Sequence, residues 1–209
     1  MIGLIMGPQG CGKGTQAELI EKEFGIKQVS TGDLFREERE KDTKRGRMVK
    51  EIIDAGNLVP DEITNQMVLD ALNNTPNILL DGSPRTLFQA QFVTEHVNVD
   101  FVIFLEISEE ETVRRLGKRR ICSATKKILI EDKITKKDIE ECEAAGGEII
   151  TRDDDKPQAI IKRLAIYHEK TQPIKKFLRE KGIKVFEING EQSIEDVFAD
   201  VKKAINSVL

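Results

Sequence analysis

The 209-residue sequence has few of the features that staple a chain or anchor it to a membrane. Its three cysteines, Cys11, Cys122 and Cys142, are too few for a disulfide framework and fit a reducing compartment. It has no leader-like stretch and no apolar run long enough to cross a bilayer, so the cytoplasm is the expected location and no membrane partner is expected. It has no surplus of positive charge: 33 Lys and Arg stand against 37 Asp and Glu, a net charge of −4. That balance excludes a broad nucleic-acid surface. The two histidines, His96 and His168, stand alone on amphipathic stretches and read as structural. No internal repeat and no low-complexity tract is present. A ligand carrying several phosphates would have to be held by a few focused lysines and arginines.

What is present is concentrated in residues 1–15. An apolar run, Met1 to Met6, enters Gly7-Pro-Gln-Gly10-Cys11-Gly12-Lys13-Gly14-Thr15, and residues 16–24 follow with helical spacing. Strand, Gly-x-x-x-x-Gly-Lys, helix is the phosphate-binding loop in the context it requires. Glycines let successive backbone N–H groups converge on one anion, and the positive end of the helix dipole faces the same point. Lys13 can reach outer phosphates, and the Thr15 hydroxyl can face Mg²⁺.

Further along, residues 26–30 read as a second strand, with Ser30 or Thr31 capping the next helix. Residues 34–55 form two short helices with a thin apolar stripe, suited to a small arm. A helix over 61–73 starts at Asp61 and Glu62, and a third strand, 77–81, ends in Asp81-Gly-Ser-Pro-Arg. Asp81, at the carboxyl end of a buried strand near the phosphate loop, stands where a Mg²⁺ water shell would need a carboxylate. A helix over 86–96, a fourth strand over 100–105 and a helix from Glu109 to Arg120 follow. The terminal Lys118-Arg119-Arg120 fits dipole complementarity. Residues 121–152, with little that could bury, read as an inserted flap, with a helical turn possible at Glu140–Glu143. A long helix to about Glu180 opens with Asp153, Asp154, Asp155 and Pro157. A fifth strand, 183–188, and a last helix capped by Ser193 complete the chain. Strands alternating with helices give a parallel, doubly wound α/β sheet.

The motifs, taken together in order, resemble those of the adenylate kinases over essentially the whole chain: Gly7–Thr15, Ser30-Thr31-Gly-Asp33 with Arg36, Gly56-Asn-Leu-Val59, Asp81–Thr86 with Gln89, Gly117-Lys-Arg119-Arg120, Thr151–Asp155, Arg163 and Tyr167-His168. The resemblance implies an α/β fold with a P-loop NTPase-type five-stranded parallel sheet. It divides the chain into core (1–29, 60–120 and 153–209), a nucleotide-monophosphate-binding arm (30–59) and a lid (121–152). The implied reaction is reversible transfer of the ATP γ-phosphoryl to AMP, giving two ADP. By position, Gly10, Cys11, Gly12, Lys13, Gly14 and Thr15 would bind ATP, with Arg115, Arg119 and the Gln192 backbone around it. Thr31, Arg36, Asn57, Leu58, Val59, Gly82, Ser83, Pro84, Arg85, Gln89, Arg152 and Arg163 would bind AMP. Lys13, Arg85, Arg119, Arg152 and Arg163 would be catalytic, and Asp81 with Thr15 would organise Mg²⁺. The resemblance makes a monomer the default and leaves a small homo-oligomer open.

Two departures from the pattern stand out. Ser83 replaces the usual Phe, removing an aromatic wall and predicting looser AMP packing. In the lid, Cys122 and Cys142 occupy the first position of each zinc-ligand pair, but Thr125 and Ala145 fill the second. Two thiolates do not close a tetrahedral site, so the pair reads as an incomplete remnant and zinc is not expected, borrowed Glu or Asp ligands being the alternative. A second reading is a GTP-preferring or broad-donor AMP kinase. A third, a GTP-binding switch protein, lacks an Asn-Lys-x-Asp motif and leaves the arginines unexplained.

Overall fold

Successive residues of each central strand face opposite sides of the sheet, and both alternating sets are apolar and buried. The computed structural model describes residues 1–72 and 77–209, so residue 73, the expected end of one helix, lies outside the described residues. In chain order the first elements are β1 (Ile2–Met6), α1 (Lys13–Phe24), β2 (Lys27–Ser30), α2 (Thr31–Arg39), α3 (Lys44–Asp54), α4 (Asp61–Leu72), β3 (Ile78–Asp81), α5 (Leu87–His96), β4 (Phe101–Glu106) and α6 (Glu109–Gly117). Then come β5 (Arg119–Cys122), β6 (Ile128–Ile130), α7 (Lys136–Ala144), β7 (Ile149–Ile150), α8 (Pro157–Ile166), α9 (Ile174–Glu180), β8 (Lys184–Asn189) and α10 (Ile194–Asn206).

The main sheet has the order β2-β3-β1-β4-β8 with every pairing parallel. Ile5, Leu79, Phe101, Ile103 and Leu105 face one layer, where Ala17 and Ile20 of α1 meet Val201 and Ile205 of α10. Leu4, Met6, Ile78, Leu80, Val102 and Phe104 face the other, against Val68, Ala90, Val93, Ile174 and Leu178. A parallel strand covered on both faces needs such a continuous apolar run, because neither face meets water. The register aligns Ile5 with Asp81 and Asp81 with Ser30, so the loops after β1, β2 and β3 emerge side by side at the carboxyl edge. Ligands of open α/β sheets bind at that edge.

The arm helices α2 and α3 close on a small cluster of their own, with Phe35, Val49 and Val59 buried. Ser30 caps α2 by accepting from the Asp33 N–H, and Thr43 caps α3. Between α6 and α8 the chain builds a second sheet, β6-β5-β7, entirely antiparallel.

Four expectations are corrected here. α6 stops at Gly117, and Arg119 and Arg120 lie on β5, where Arg119 pairs with Ile130 and Ile121 with Ile150. Strand pairing, which no local pattern announces, overrides the dipole argument for those two residues; the basic residues in the last turn of α6 are Arg114 and Arg115 instead. The flap is not without burial: Cys122, Leu129 and Cys142 are all buried. Nor are its cysteines free, since Cys122 and Cys142 form a disulfide that ties β5 to α7, leaving Cys11 as the one free cysteine. Finally, the long helix is broken. Gln172 N–H bonds Tyr167 C=O, one turn of π-helix over Tyr167–Thr171, and Pro173, with no N–H to give, separates α8 from α9.

Candidate active site

Every other strand-to-helix loop at the sheet's carboxyl edge has a side-chain cap; the loop after β1 does not. α1 begins at Lys13 behind Gly12, whose φ of 97° is left-handed and which offers no side chain to the first-turn N–H groups. α2, α5 and α10 are capped by Ser30, Thr86 and Ser193. The first-turn backbone donors of α1 therefore have no capping side chain, and an uncapped helix N-terminus of this kind suits an anion. Gly7 has a second reason to be glycine: a Cβ there would stand 2.3 Å from the Leu105 carbonyl oxygen. Lys13 folds over the loop, its Nζ donating to the carbonyls of Gly7 (2.9 Å) and Pro8 (2.8 Å). Burial pushes the buried Cys11 thiol up, with Lys13 opposing, so Cys11 is an uncharged wall of the loop. Gly14 has open space around it and Thr15 is exposed on the first turn of α1.

Arg115 fixes the far side of the loop. Its guanidinium donates to the carbonyl oxygens of Gly190 (2.9 Å) and Gly10 (3.4 Å) while Nε holds Glu111 (2.6 Å). Gln192 lies in the turn before α10, its side chain bonded back to the Asn189 carbonyl at 3.0 Å.

On the other side stands β3. Asp81 is buried at its carboxyl end; burial raises its carboxyl while Lys13 and Arg85 pull it down, and Gln28 Nε2 donates to Oδ2 at 3.0 Å. Thr31 donates to the Asp81 carbonyl at 3.2 Å. Gly82 (φ 83°) lies so close to Thr31 that a Cβ would approach Oγ1 to 2.7 Å. The Ser83–Pro84 bond is cis, and Arg85 Nε donates to the Gly82 carbonyl at 2.6 Å. Ser83 is 1% exposed with its Oγ 3.4 Å from Gln89 Oε1, so its position is filled rather than an open wall. Asn57, Leu58 and Val59 form the turn between α3 and α4, shaped by the bond from Asn57 N–H to the Ile52 carbonyl (3.0 Å) and the burial of Val59.

The arginines converge with two aspartates. Arg119 Nε meets Asp155 Oδ2 at 2.7 Å. Arg152 grips both oxygens of Asp154 at 2.9 Å, and Arg163 reaches Oδ2 at 2.9 Å. The aspartates, expected only as helix-start charges, are the partners of these arginines. Burial would raise the Asp154 carboxyl, but Arg163 and Arg152 hold it at about 2. Arg163 is lowered to about 10 by burial; Asp154 opposes the shift, and Arg85, Arg119 and Arg152 add to it. Arg85 is likewise lowered by burial, with Arg36 and Arg152 adding to it. Arg36 of the arm, bonded to Asp33 by Nε at 3.1 Å, also feels Arg152. Cations that depress one another despite their carboxylates form a site short of negative charge.

Among the described residues, no three His, Cys, Asp or Glu side chains gather as a metal cage. The donor set, the Asp81 carboxylate at the end of β3 and the exposed Thr15 hydroxyl on the first turn of α1, suits Mg²⁺, which takes one or two protein oxygens and otherwise water and phosphate. The lid does not fit zinc, because its two candidate thiolates are bonded to each other. No helix among the described residues is long and apolar enough to cross a membrane.

A parallel sheet with an uncapped glycine loop on one side and a convergent arginine cluster on the other defines a P-loop phosphotransferase. A family model described as adenylate kinase matches residues 5–183. The chain is 38% identical to an adenylate kinase of Petrotoga mobilis, over 98% of this chain and 97% of that one. It is 41% identical to an adenylate kinase of Listeria monocytogenes, over 98% of both chains, and 42% identical to that of Carboxydothermus hydrogenoformans, over 97% and 98%. The chain belongs to the adenylate kinase family.

Sequence reasoning missed Asp61 as a partner of Gln89, the Thr171 hydroxyl on the Arg85 carbonyl (2.9 Å) and Gln28 on Asp81. Each pair spans 28 or more residues, and no local pattern carries that information.

Proposed function

We propose that this chain catalyses reversible transfer of the ATP γ-phosphoryl group to AMP, giving two ADP. The observation that carries the reading is the arginine cluster: Arg36, Arg85, Arg119, Arg152 and Arg163 repel one another through the site, and Arg85 shares the buried Asp81 with Lys13 of the glycine loop. Phosphoryl transfer spreads negative charge over equatorial oxygens, and fixed guanidiniums complement that charge. The attacking AMP phosphate is anionic at neutral pH, so no general base is needed.

In this reading Gly10–Thr15 and Lys13 hold the ATP phosphates, and Arg115 and the Gln192 backbone flank its base. Thr31, Arg36, Asn57–Val59, Gly82–Arg85 and Gln89 hold AMP. Arg119, steadied by Asp155, and Arg152 and Arg163, steadied by Asp154, hold the transferring phosphate in line. Mg²⁺, held through water by Asp81 and beside Thr15, supplies charge neutralisation to the phosphates when bound. The arm (30–59) and the lid (121–152) close over the substrates and exclude water, which would otherwise compete as acceptor. The monomer is the working unit and the cytoplasm its place.

The test is product formation from each common triphosphate paired with AMP, then from ATP paired with each monophosphate. Rapid ADP formation confined to ATP with AMP is expected. Equal rates with GTP would make the donor site base-blind, and no transfer with any pair would overturn the reading.

A further inference from the structure

The Gln89 side chain is 2% exposed, and its carboxamide is fixed from two sides. Nε2 donates to Asp61 Oδ1 at 2.7 Å; Oε1 accepts from the Arg85 backbone N–H at 2.7 Å. Asp61 also accepts the Thr86 hydroxyl through its second oxygen, Oδ2, at 2.9 Å, which fixes its own plane. An ionised carboxylate only accepts and a backbone N–H only donates, so these partners dictate which end of the amide is which. The carboxamide keeps one hydrogen on Nε2 and one lone pair on Oε1, the latter touched only by the long 3.4 Å approach of Ser83 Oγ.

We propose that Asp61 is a positioning residue that sets the face Gln89 shows to the acceptor's base and thereby excludes 6-oxopurine monophosphates. This rests on the reading that Gln89 meets that base. A 6-aminopurine offers a donor at N6 and an acceptor at N1, which match Oε1 and Nε2–H. A 6-oxopurine offers an acceptor at O6 and a donor at N1, which oppose both. Rotating the amide would rescue the oxopurine, but would set Oε1 against the Asp61 carboxylate and Nε2 against the Arg85 N–H. Buried polar clashes of that kind are not offset by solvent. The lock is thus remote from the base but decides its identity.

The experiment compares kcat/KM for AMP and for inosine monophosphate in the wild type and in Asp61→Asn. An asparagine can donate or accept, and the Thr86 hydroxyl adapts to either, so the variant removes one of the two constraints without emptying the space. The AMP-to-IMP ratio should fall about tenfold or more, whereas a merely structural role would lower both substrates together and leave the ratio unchanged, overturning the proposal. Gln89→Leu separates the two levels. If it leaves KM for AMP unaltered, Gln89 does not meet the base and the underlying reading fails with the proposal. If it raises KM while Asp61→Asn leaves the ratio intact, only the lock fails. Should Asp61→Asn not fold, wild-type NMR decides. One Gln89 carboxamide proton should resist solvent exchange before AMP is added and the second only afterwards; free exchange of both without AMP would overturn the proposal.

Discussion

Arg119, on the first strand of the small antiparallel sheet, is held by Asp155, in the turn before α8, with Nε to Oδ2 at 2.7 Å across 36 residues of sequence. The Asp155 side chain is wholly buried and that of Arg119 is mostly so, 17% exposed. Removing one member of such a pair strands the other charge. Asp155→Ala should therefore cost about 3 kcal/mol of stability, read as a fall in Tm. It should also lower kcat, because Arg119 loses the contact that aims it.

Lys13 makes its contacts within its own loop, with the carbonyls of Gly7 and Pro8 and the Cys11 sulfur. Lys13→Ala should lower turnover by about a hundredfold or more, with the Tm close to that of the parent. Single-turnover kinetics beside a melting curve check both.

Asp154 gives a pH dependence. Its carboxyl lies at about 2 in the folded protein against an ordinary 3.8. A carboxyl held low in the native state contributes stability that is present in full above its unfolded value and lost as pH falls through the folded value. Stability should therefore decline between about pH 4 and pH 2, with about 2 kcal/mol traceable to this group. Asp154→Asn should lose stability at neutral pH and show a shallower acid limb in denaturant titrations.

The Cys122–Cys142 bond predicts a thiol count. In denaturant without reductant one thiol, Cys11, should react; after reduction, three should. The bond closes 20 residues of chain, worth about 3 kcal/mol of loop entropy. Reduction should therefore speed hydrogen exchange across β5, β6, β7 and α7 and leave the parallel sheet unchanged. A chelator should leave Tm unaltered.

By itself the sequence determined whatever depends on neighbours within a turn or a strand. Gly7–Thr15 identified the phosphate loop because its function is backbone conformation and helix polarity, both written locally. The apolar runs over residues 1–6, 77–81 and 100–105 marked strands, the last as one covered on both faces, and Ser30 or Thr31 and Ser193 marked helix starts. Only the tertiary structure decided which charges meet. Arg119 left its helix for a strand because Ile128, Ile130 and Ile150 supplied pairing partners. Asp154 and Asp155 became arginine partners rather than helix-start charges, two cysteines read as an incomplete metal-site remnant joined, and Asp61 reached Gln89. Hydrogen bonds and ion pairs act over about 3 Å of space, and a chain's order does not say which distant residues folding brings within that distance.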